Sequence, residues 1–480
     1  MAAPAFDQAK QKNHERVSDL ELNPATVELE FMGVYGVTAV MILMSLVVVV
    51  LESGCNGNNL CALVKTNGSG NESGVVSHLL EFVSDAKEYL VNWVLVDGFI
   101  SYNVFATYCV YFSWLVALSY LLPGESVKGV KLRDGTFLKY KVNGFVSGVL
   151  TVSIVLADAF VNGPSKLMYV ADNFKYFVSS TLVFSVLLAL AVYLLSFRPV
   201  NGTKADDCKG KSGYSESKGA LLLSATGNSG YFAYDYFMGR ELNPRYFGLD
   251  IKYFCELRPG LIGWVLVNIA FIAKHYSNFG TISNAILLAT GSQILYVFDA
   301  LFLEKAVLTT MDITTEGFGF MLSMGDLCWV PAVYTLQARY LAYNNIELSP
   351  YFATFVLILS IAGYLIFRLS NLQKNNFRSS PTIDPKLYTY IETNAGSKLL
   401  VSGWWGLARH INYTGDWLLG LSQCLATGFG NPLTYFFSLY FLSLLLHRNY
   451  RDELKCKNKY GKDWDRYCSI VKYKFIPYLI

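Results

Sequence analysis

The chain has 480 residues, of which 53% are hydrophobic, 15% aromatic and only 16% charged. An ordinary soluble domain carries about 25% charged residues, so the composition excludes that class and predicts an all-α, polytopic integral membrane protein. The net charge of +3 is too small to indicate nucleic acid as a partner. The nine cysteines form no Cys-x-x-Cys pair and no cluster of zinc-ligand spacing, so no metal is expected.

Hydrophobic stretches long enough to cross a bilayer recur along the chain. Because a helix needs about 20 apolar residues to cross about 30 Å of hydrocarbon, the sequence predicts about ten membrane-spanning helices. The last two stretches are short, and a re-entrant hairpin is the alternative for them. The predicted spans are residues 31–51, 101–122, 142–161, 176–196, 260–276, 281–302, 318–342, 351–367, 417–426 and 433–446.

Lysine and arginine residues in the loops predict the orientation, because loops rich in these residues tend to stay cytosolic. Cytosolic positions are predicted for the N-terminal segment 1–30, the loop 197–259 and a C-terminal cap 447–480. About four helices fall within residues 31–196 and about six within residues 260–446.

The loop 52–88 is poor in cations and is predicted to be luminal. It holds two glycosylation sequons, at Asn67 and Asn71, for which chance occurrence is an equal alternative. Cys55 and Cys61 lie in the same loop, where a disulfide could join them.

Ionisable side chains at membrane depth are costly and usually face a cavity or a pathway. They concentrate in residues 303–341, within or beside a predicted span. Structural pairing explains some of these charges, but their number favours a lined pocket. The residues are Glu304, Lys305, Asp312, Glu316, Asp326 and Arg339.

Several cations in the last quarter of the chain could meet an anionic ligand. Lys374 and Arg378 are four residues apart, so on a helix both point the same way. Arginine suits phosphate because its planar group donates two parallel hydrogen bonds, and a phosphorylated soluble cofactor therefore fits the pattern. The general excess of cations at cytosolic ends of spans is an equal alternative. The set is Lys374, Arg378, Arg409, Arg448 and Arg451.

Glycine motifs that cradle phosphate are absent from the sequence, which has neither Gly-x-Gly-x-x-Gly after a strand nor a Walker motif. A nucleotide would therefore be held by side chains and helix ends. No Gly-x-Ser-x-Gly elbow supports serine hydrolysis.

Five long motifs carry most of the unusual polar and aromatic residues. They are GNSGYFAYDYFMGRELNPR (227–245), LTTMDITTEGFGFMLSMGDLCWVP (308–331), NLQKNNFR (371–378), LLVSGWWGLARHINYTGDW (399–417) and HRNYRDELKCKNKYGKDWDRYC (447–468). In this order they resemble the sterol reductase family, over residues 22 to 480. Within that family the chain is most similar to the fungal delta(14)-sterol reductases.

The resemblance implies reduction of a sterol double bond with NADPH as cofactor, by a multi-pass protein of the endoplasmic reticulum membrane. It implies sterol and NADPH pockets within residues 260–446. The partners implied are a sterol that enters from the bilayer, membrane lipids and other enzymes of sterol biosynthesis. The implied cofactor-binding residues are Lys374, Arg378, Trp405, Arg409, His410, Asn412, Asp416, Arg448 and Tyr460.

The chemistry of this reduction requires an acid. A C14=C15 alkene without a carbonyl is not electrophilic, so protonation at C-15 must precede hydride transfer to C-14, in a water-poor site. By resemblance, Tyr296 and Asp452 belong to the proton-delivery path. Plain packing is the alternative for Tyr296, and orientation of neighbouring arginines is the alternative for Asp452. Carboxylates and aromatic faces stabilise a developing carbocation, and the candidates for this role in the substrate pocket are Asp312, Glu316, Asp326 and Trp329.

Three other functions compete with C-14 reduction. A sister reductase would act on another double bond, at C-7 or C-24(28). A non-catalytic sterol-binding membrane protein would keep the fold without the reaction. The C-terminal half is also distantly similar to isoprenylcysteine methyltransferases, which use S-adenosylmethionine, but those proteins are shorter and lack LTTMDITTEGFGF.

Overall fold

The structure, a computed structural model, describes residues 23–54, 84, 87–198, 221–380, 384 and 386–479. Within these residues the chain is mainly helical with a few short two-stranded antiparallel sheets, which confirms the predicted all-α fold class. The sequons at Asn67 and Asn71 and the cysteines Cys55 and Cys61 lie outside the described residues.

Seven helical segments in the described part of the chain are long and apolar enough to cross a membrane, and the protein is multi-pass. Large apolar side chains on these segments stay exposed, among them Leu43 at 60%, Val110 at 69% and Ile358 at 60% of their surface. Such exposure suits a surface that meets acyl chains. The segments are Gly33–Glu52, Tyr102–Leu121, Gly144–Asn162, Phe174–Leu195, Ile251–Phe279, Asn284–Phe302 and Pro350–Ser379.

The chain divides into two compact units that interleave along the sequence. The predicted division of the chain at residues 197 and 260 follows loop composition and remains a sequence-based expectation. Unit 1 comprises residues 1–53, 88–267 and 297–333, and unit 2 comprises residues 54–87, 268–296 and 334–480.

Unit 1 begins with the first membrane-spanning helices, and helices α8 and α9 are each divided between the two units. Among the described residues, π-helical turns occur at Asn92–Val96 and Gly325–Trp329. The elements are α1 (Gly33–Gly54), α2 (Tyr102–Leu121), β1 (Glu125–Lys131), β2 (Phe137–Val142), α3 (Gly144–Asn162), α4 (Ser165–Asp172), α5 (Phe174–Leu195), α6 (Phe232–Met238), β3 (Arg245–Tyr246), β4 (Leu249–Asp250), α7 (Ile251–Leu257), α8 (Pro259–Phe279), α9 (Asn284–Phe302), α10 (Glu304–Val307), α11 (Met311–Thr314), α12 (Phe320–Met324) and α13 (Val330–Val333).

Glycines bring two of the long sequence motifs into backbone contact in unit 1. A Cβ atom at Gly239 would overlap the backbone of Gly317 and Gly319. No other residue type fits at this crossing, because any side chain would push the two segments apart. The contact fixes the position of the segment that carries the substrate-pocket candidates Asp312 and Glu316.

The predicted span over residues 318–342 is not one continuous helix. It consists of α12, the π-helical turn Gly325–Trp329, α13 and a further helix at Leu336–Tyr343. Pro331 lacks an N–H and cannot complete a regular helical ladder, which explains an interruption here. Single π-helical turns recur at functional sites, and this one carries Asp326 and Trp329.

Unit 2 holds the C-terminal helices and one hairpin. Its longest helix starts at Pro350, where the preceding Ser349 hydroxyl accepts a bond from the backbone N–H of Phe352. The helix over Phe436–Tyr460 is continuous, so the predicted start of the cap at residue 447 lies inside it. The elements are α14 (Leu336–Tyr343), α15 (Pro350–Ser379), β5 (Tyr390–Glu392), β6 (Lys398–Leu400), α16 (Trp404–Leu407), α17 (Ile411–Leu425), a 3-10 turn (Pro432–Tyr435), α18 (Phe436–Tyr460) and α19 (Lys462–Ile470).

Helices α15 and α17 cross at two glycines. A Cβ atom at Gly363 would lie 2.7 Å from the backbone nitrogen of Leu419, and one at Gly415 would overlap the backbone nitrogen of Phe367. The absence of side chains lets the two backbones touch, as in close helix pairs of membrane proteins. This contact positions the start of α17 beside the polar end of α15.

Four buried amide side chains join α8, α9, α14 and α17 inside unit 2. Asn268 donates a bond of 2.9 Å to the side-chain oxygen of Gln293, and Gln293 donates to the side-chain oxygens of Gln337 and Gln423 at 3.3 and 3.4 Å. All four residues are 3% exposed or less. Because polar groups away from water must bond within the protein, this network sets the register of the four helices.

Candidate functional site

One of the two cations at the end of α15 lies over an indole ring. Lys374 and Arg378 lie one turn apart on this helix, as their spacing predicted. The Lys374 ammonium lies 3.9 Å from the centre of the Trp405 ring, a cation–π contact. Arg378 and Asp452 are close enough to act electrostatically on Lys374. A pair of cations therefore stands beside one carboxylate at this end of α15.

Trp405 is held against α15 by its indole nitrogen and by the turn that precedes it. The indole N–H donates a bond of 2.7 Å to the Ser370 carbonyl. Gly403 has a positive φ of 62°, and a Cβ atom there would overlap the side chain of Gln373. The Gln373 side-chain oxygen accepts a bond of 3.0 Å from the backbone N–H of Trp404. Only glycine suits this turn, which fixes the ring position.

Arg409 bonds with the C-terminal segment of the chain. Its Nη1 atom donates to the carbonyls of Val471 and Lys472 at 2.8 and 3.1 Å. Its Nη2 atom pairs with the Glu453 carboxylate at 3.0 Å. Arg409 is only 7% exposed. Both terminal nitrogens are therefore engaged within the protein, and Arg409 clamps the last residues onto the start of α17.

His410 and Tyr413 stack at the start of α17 with ring centres 4.8 Å apart and planes at 18°. The Tyr413 hydroxyl donates a bond of 3.1 Å to Oδ2 of Asp452 on α18. Burial, and then the neighbouring cations with Lys374 first, lower the pKa of His410 to about 3. His410 is therefore neutral near pH 7, and it offers a flat ring and hydrogen-bonding nitrogens rather than a positive charge.

Asp416 lies on α17 near Arg448 of α18. Burial raises the pKa of Asp416 to about 7, while Arg448 acts in the opposite direction. Both groups also act electrostatically on Tyr413. An acid that changes its charge near neutral pH therefore lies among the candidate cofactor ligands.

Two buried amide oxygens near these cations have no hydrogen-bond partner in the described part of the chain. The Asn412 nitrogen donates a bond of 3.3 Å to the Asn371 side chain, while its own Oδ1 has no partner. The same holds for Oδ1 of Asn449, which follows Arg448 on α18. A buried acceptor without a donor is costly, and an N–H or O–H of a bound polar ligand would satisfy both oxygens.

Tyr296, at the end of the unit 2 part of α9, contacts the helix that carries these cations. Its ring lies 6.3 Å from the ring of Phe367 on α15, centre to centre. The Phe367 carbonyl accepts a bond of 3.0 Å from Asn371, which in turn accepts from Asn412. One turn of α15 thus connects Tyr296 with the pair of Asn371 and Asn412. In this pair Oδ1 of Asn412 has no hydrogen-bond partner among the described residues.

Tyr460 lies in a neighbouring aromatic cluster. Its ring stacks with that of Trp464 at 6.4 Å, and both pack with Ile391 of the hairpin and Tyr467 of α19. Cys456, one turn earlier on α18, also packs there and acts electrostatically on Lys374. Tyr460 therefore lies one turn along α18 from Cys456, the residue of this cluster that is close to Lys374.

In unit 1, a buried lysine organises the segment that holds Asp312 and Glu316. Lys252 has no exposed surface, and its ammonium donates to the carbonyls of Ile313 and Glu316 at 2.9 and 2.6 Å. Asp312 and Glu316 also act electrostatically on Lys252. The charges predicted to line a pocket are thus partly engaged with one another.

Asp326 is carried by the π-helical turn together with Trp329, which is 4% exposed. A Cβ atom at Gly260 would overlap the Asp326 carbonyl, so α8 begins in direct contact with this turn. Oδ2 of Asp326 is buried and has no hydrogen-bond partner within the described residues. Asp312 is close enough to act electrostatically on Asp326. The structure thus groups the four substrate-pocket candidates within unit 1.

Several contributors were not predicted from the sequence. Tyr413 and Glu453 lie inside the recognised motifs, but their partners are 39 and 44 residues away along the chain. The signal that could have found them was the paired charges of HRNYRDE and the aromatic residues of RHINYTGDW. Lys252 gave no signal, because its partners are backbone carbonyls.

Known proteins similar to this chain share its motifs over nearly its whole length. Residues 25–480 match the Ergosterol biosynthesis ERG4/ERG24 family. The Delta(14)-sterol reductase ERG24 of Candida albicans is 41% identical over 469 residues, which cover 96% of this chain and 99% of the relative. The Delta(14)-sterol reductase of Ascobolus immersus is 47% identical over 76% of this chain and 83% of the relative. That of Saccharomyces cerevisiae is 40% identical over 95% and 99%. The chain therefore belongs to the ergosterol biosynthesis ERG4/ERG24 family.

Proposed function

We propose that this protein reduces the C14=C15 double bond of delta-8,14 sterol intermediates with NADPH, in the endoplasmic reticulum membrane. The observation that carries the proposal is the similarity to relatives named Delta(14)-sterol reductase, which extends over almost the whole of both chains. The membrane-spanning segments agree with a substrate that dissolves in the bilayer.

The polar residues of unit 2 fit a phosphorylated nicotinamide cofactor. Lys374, Arg378 and Arg448 supply positive charge for phosphate groups. The open oxygens of Asn412 and Asn449 suit the amide and hydroxyl donors of such a cofactor. Bound NADPH supplies the hydride that C-14 receives.

Other residues of this group hold the site in shape. The ring of Trp405 offers a flat apolar face beside Lys374. Arg409 acts by positioning, because its bonds tie the C-terminal segment to α17. His410 is neutral and packs on Tyr413, so it lines the pocket without adding charge. Tyr460 supports α18 from the adjoining cluster.

Proton delivery to C-15 is assigned to Asp452 and Tyr296. The hydrogen bond from Tyr413 holds one oxygen of Asp452 in place. Tyr296 lies one helical turn from the open amide pair, through Phe367 and Asn371. In a water-poor site the phenol of Tyr296 can give its proton to C-15 as the alkene electron pair forms the new C–H bond, and a carboxylic acid can restore that proton afterwards.

The carbocation formed at C-14 needs negative charge or an aromatic face nearby. Asp326 is the strongest candidate in unit 1, because it sits on an irregular turn and its buried Oδ2 has no hydrogen-bond partner in the described part of the chain. Trp329 on the same turn supplies a ring. Asp312 and Glu316 add negative charge from the adjoining segment, which Lys252 anchors.

Isotope labelling tests the reaction directly. Purified protein in lipid nanodiscs receives a delta-8,14 sterol and NADPH, and the product is analysed by mass spectrometry. In D2O we expect one deuterium at C-15, and with NADPH deuterated at the transferred position we expect one at C-14. The variant Asp452→Asn should lose turnover while it still binds NADPH.

Other outcomes would redirect the proposal. A product reduced at C-7 or C-24(28) would make the protein a sister reductase. Sterol binding without any reduction, by folded protein that also fails to bind NADPH, would favour a non-catalytic sterol-binding protein. Sterol profiling of a cell that lacks the gene gives an independent answer, because a C-14 reductase deficit accumulates a 14-unsaturated sterol.

A further inference from the structure

Unit 1 contains an apolar cavity of about 230 Å³. It lies between α2, α4, α5, α8 and the turn that leads into α13, and three of these helices belong to membrane-spanning segments. Two of the lining residues explain why this space is not filled by side chains. Gly263 contributes no side chain, and Pro331 interrupts the helix opposite.

Most hydroxyl groups in the lining are already bonded to the protein. That of Tyr111 donates to the Pro259 carbonyl at 2.8 Å, and those of Thr107 and Thr181 donate to carbonyls of their own helices. Tyr108 also lines the cavity and is 5% exposed. Its hydroxyl oxygen is buried and has no hydrogen-bond partner among the described residues.

A buried hydroxyl without a partner is unfavourable, so its partner is expected from outside the chain. Water is a poor candidate, because a buried water needs about two to four polar partners and this lining is almost entirely apolar. A ligand with one hydroxyl on an apolar body satisfies Tyr108 and also fills the cavity. It could in turn donate to the Tyr111 oxygen.

The cavity meets the lipid at Thr107, a lining residue that is exposed on a membrane-spanning helix. An apolar cavity of about 150 Å³ holds a molecule the size of benzene. A volume of about 230 Å³ therefore suits a fragment of about two fused rings rather than a whole sterol. We propose that this cavity binds the hydroxyl-bearing ring end of a membrane sterol, with the remainder of the sterol in the bilayer.

The proposed site binds sterol without reducing it. None of the lining residues is an aspartate, glutamate, lysine, arginine or histidine. The cavity therefore offers no group for a cofactor phosphate and no acid that could restore a proton lost by Tyr108. This proposal does not depend on C-14 reduction, since its test measures binding alone.

Photolabelling tests the site on the full chain in sterol-free phosphatidylcholine nanodiscs. The probe is a saturated 3β-hydroxy sterol with a diazirine on ring B, and labelled peptides are mapped by mass spectrometry. We expect labels within residues 102–121 and 259–267. An unlabelled 3β-hydroxy sterol should compete about tenfold better than its 3-deoxy analogue, as one hydrogen bond predicts.

Variants separate the hydroxyl contact from general packing. Tyr108→Phe should reduce the tenfold preference to within about twofold, while Tyr102→Phe, on the exposed start of the same helix, should keep it. Gly263→Leu, which fills the cavity, should abolish labelling there. Melting curves of each variant confirm that it is folded.

Three results would overturn the proposal. The first is an undiminished hydroxyl preference in folded Tyr108→Phe. The second is equal labelling of the same peptides by a phosphatidylcholine with a photoreactive acyl chain, which would make the cavity a general lipid contact. The third is loss of sterol turnover in Tyr108→Phe, which would make the cavity part of the reaction path.

Discussion

The Tyr413 hydroxyl donates a hydrogen bond of 3.1 Å to Oδ2 of Asp452 and so joins α17 to α18 beside the cations of α15. Burial and the charge of Asp452 raise the pKa of Tyr413, so its hydroxyl stays protonated and remains a donor. The bond engages one oxygen of Asp452, the residue predicted to take part in proton delivery. A tyrosine outside the predicted site thus fixes the geometry of a predicted catalytic group.

Replacement of Tyr413 by phenylalanine should lower kcat about 10- to 100-fold, because a misplaced acid transfers its proton poorly. The KM for NADPH should stay within about twofold, since no cation is removed. Steady-state kinetics measure both. Tyr450→Phe is the matched control, because Tyr450 is 61% exposed on the same helix as Asp452. A raised KM with normal kcat would instead assign Tyr413 to cofactor binding.

Removal of the Lys374 charge should weaken NADPH binding. Lys374→Met should raise the Kd for NADPH about 10- to 100-fold, the value of one charge-assisted hydrogen bond, and Lys374→Arg should recover part of this loss. Titration calorimetry with the purified protein gives the Kd. Lys386→Met, at an exposed lysine beyond the end of α15, serves as control. Unchanged affinity in Lys374→Met would place the phosphates elsewhere.

Loss of the Arg409 clamp should destabilise the C-terminal segment. Arg409→Ala leaves two carbonyls without this donor and leaves Glu453 paired with Lys474 alone, and such a loss in a partly buried ion pair costs about 1 to 3 kcal/mol. We expect a lower Tm and faster proteolysis after residue 470. Arg466→Ala, at an exposed arginine of α19, should change neither. If Arg409→Ala kept its Tm but lost NADPH affinity, Arg409 would be a direct cofactor ligand.

The crossing of α15 and α17 should not tolerate a methyl group. Gly363→Ala and Gly415→Ala should each destabilise the protein by about 1 to 3 kcal/mol, because an overpacked contact must open. Gly291→Ala is the control. Gly291 lies on a different membrane-spanning helix, α9, and a Cβ atom there would meet nothing within 4 Å. Thermal unfolding in detergent compares the variants, and equal Tm values for all of them would refute the tight crossing.

Asp416 should make stability depend on pH near neutrality. Its pKa is raised from 3.8 to about 7 by burial, so between these values the folded state holds a proton that the unfolded state has released. Stability from this group is therefore greatest at low pH and falls as pH rises toward 7. The Tm of the wild type should decline between about pH 4 and 7 relative to Asp416→Asn, which cannot ionise. Parallel Tm curves would contradict the raised pKa.

The sequence predicted several of the membrane-spanning helices, because the length of an apolar stretch can be read directly from neighbouring residues. The predicted spans at 101–122, 142–161 and 176–196 correspond to α2, α3 and α5. The span at 318–342 was predicted as one helix, since average hydrophobicity does not detect an interruption at Pro331 and a π-helical turn. The helical spacing of Lys374 and Arg378 was likewise readable from five consecutive residues.

The sequence by itself determined the membrane class, the family and the residue types of the candidate site, because these depend on composition and on short ordered motifs. Only the tertiary structure decided which of those residues meet. Tyr413 reaches Asp452 across 39 residues, and Arg409 turns to the C-terminal segment across 62. Such partners depend on how α18 and the C-terminal segment pack against α17, and no local pattern in the sequence records that packing.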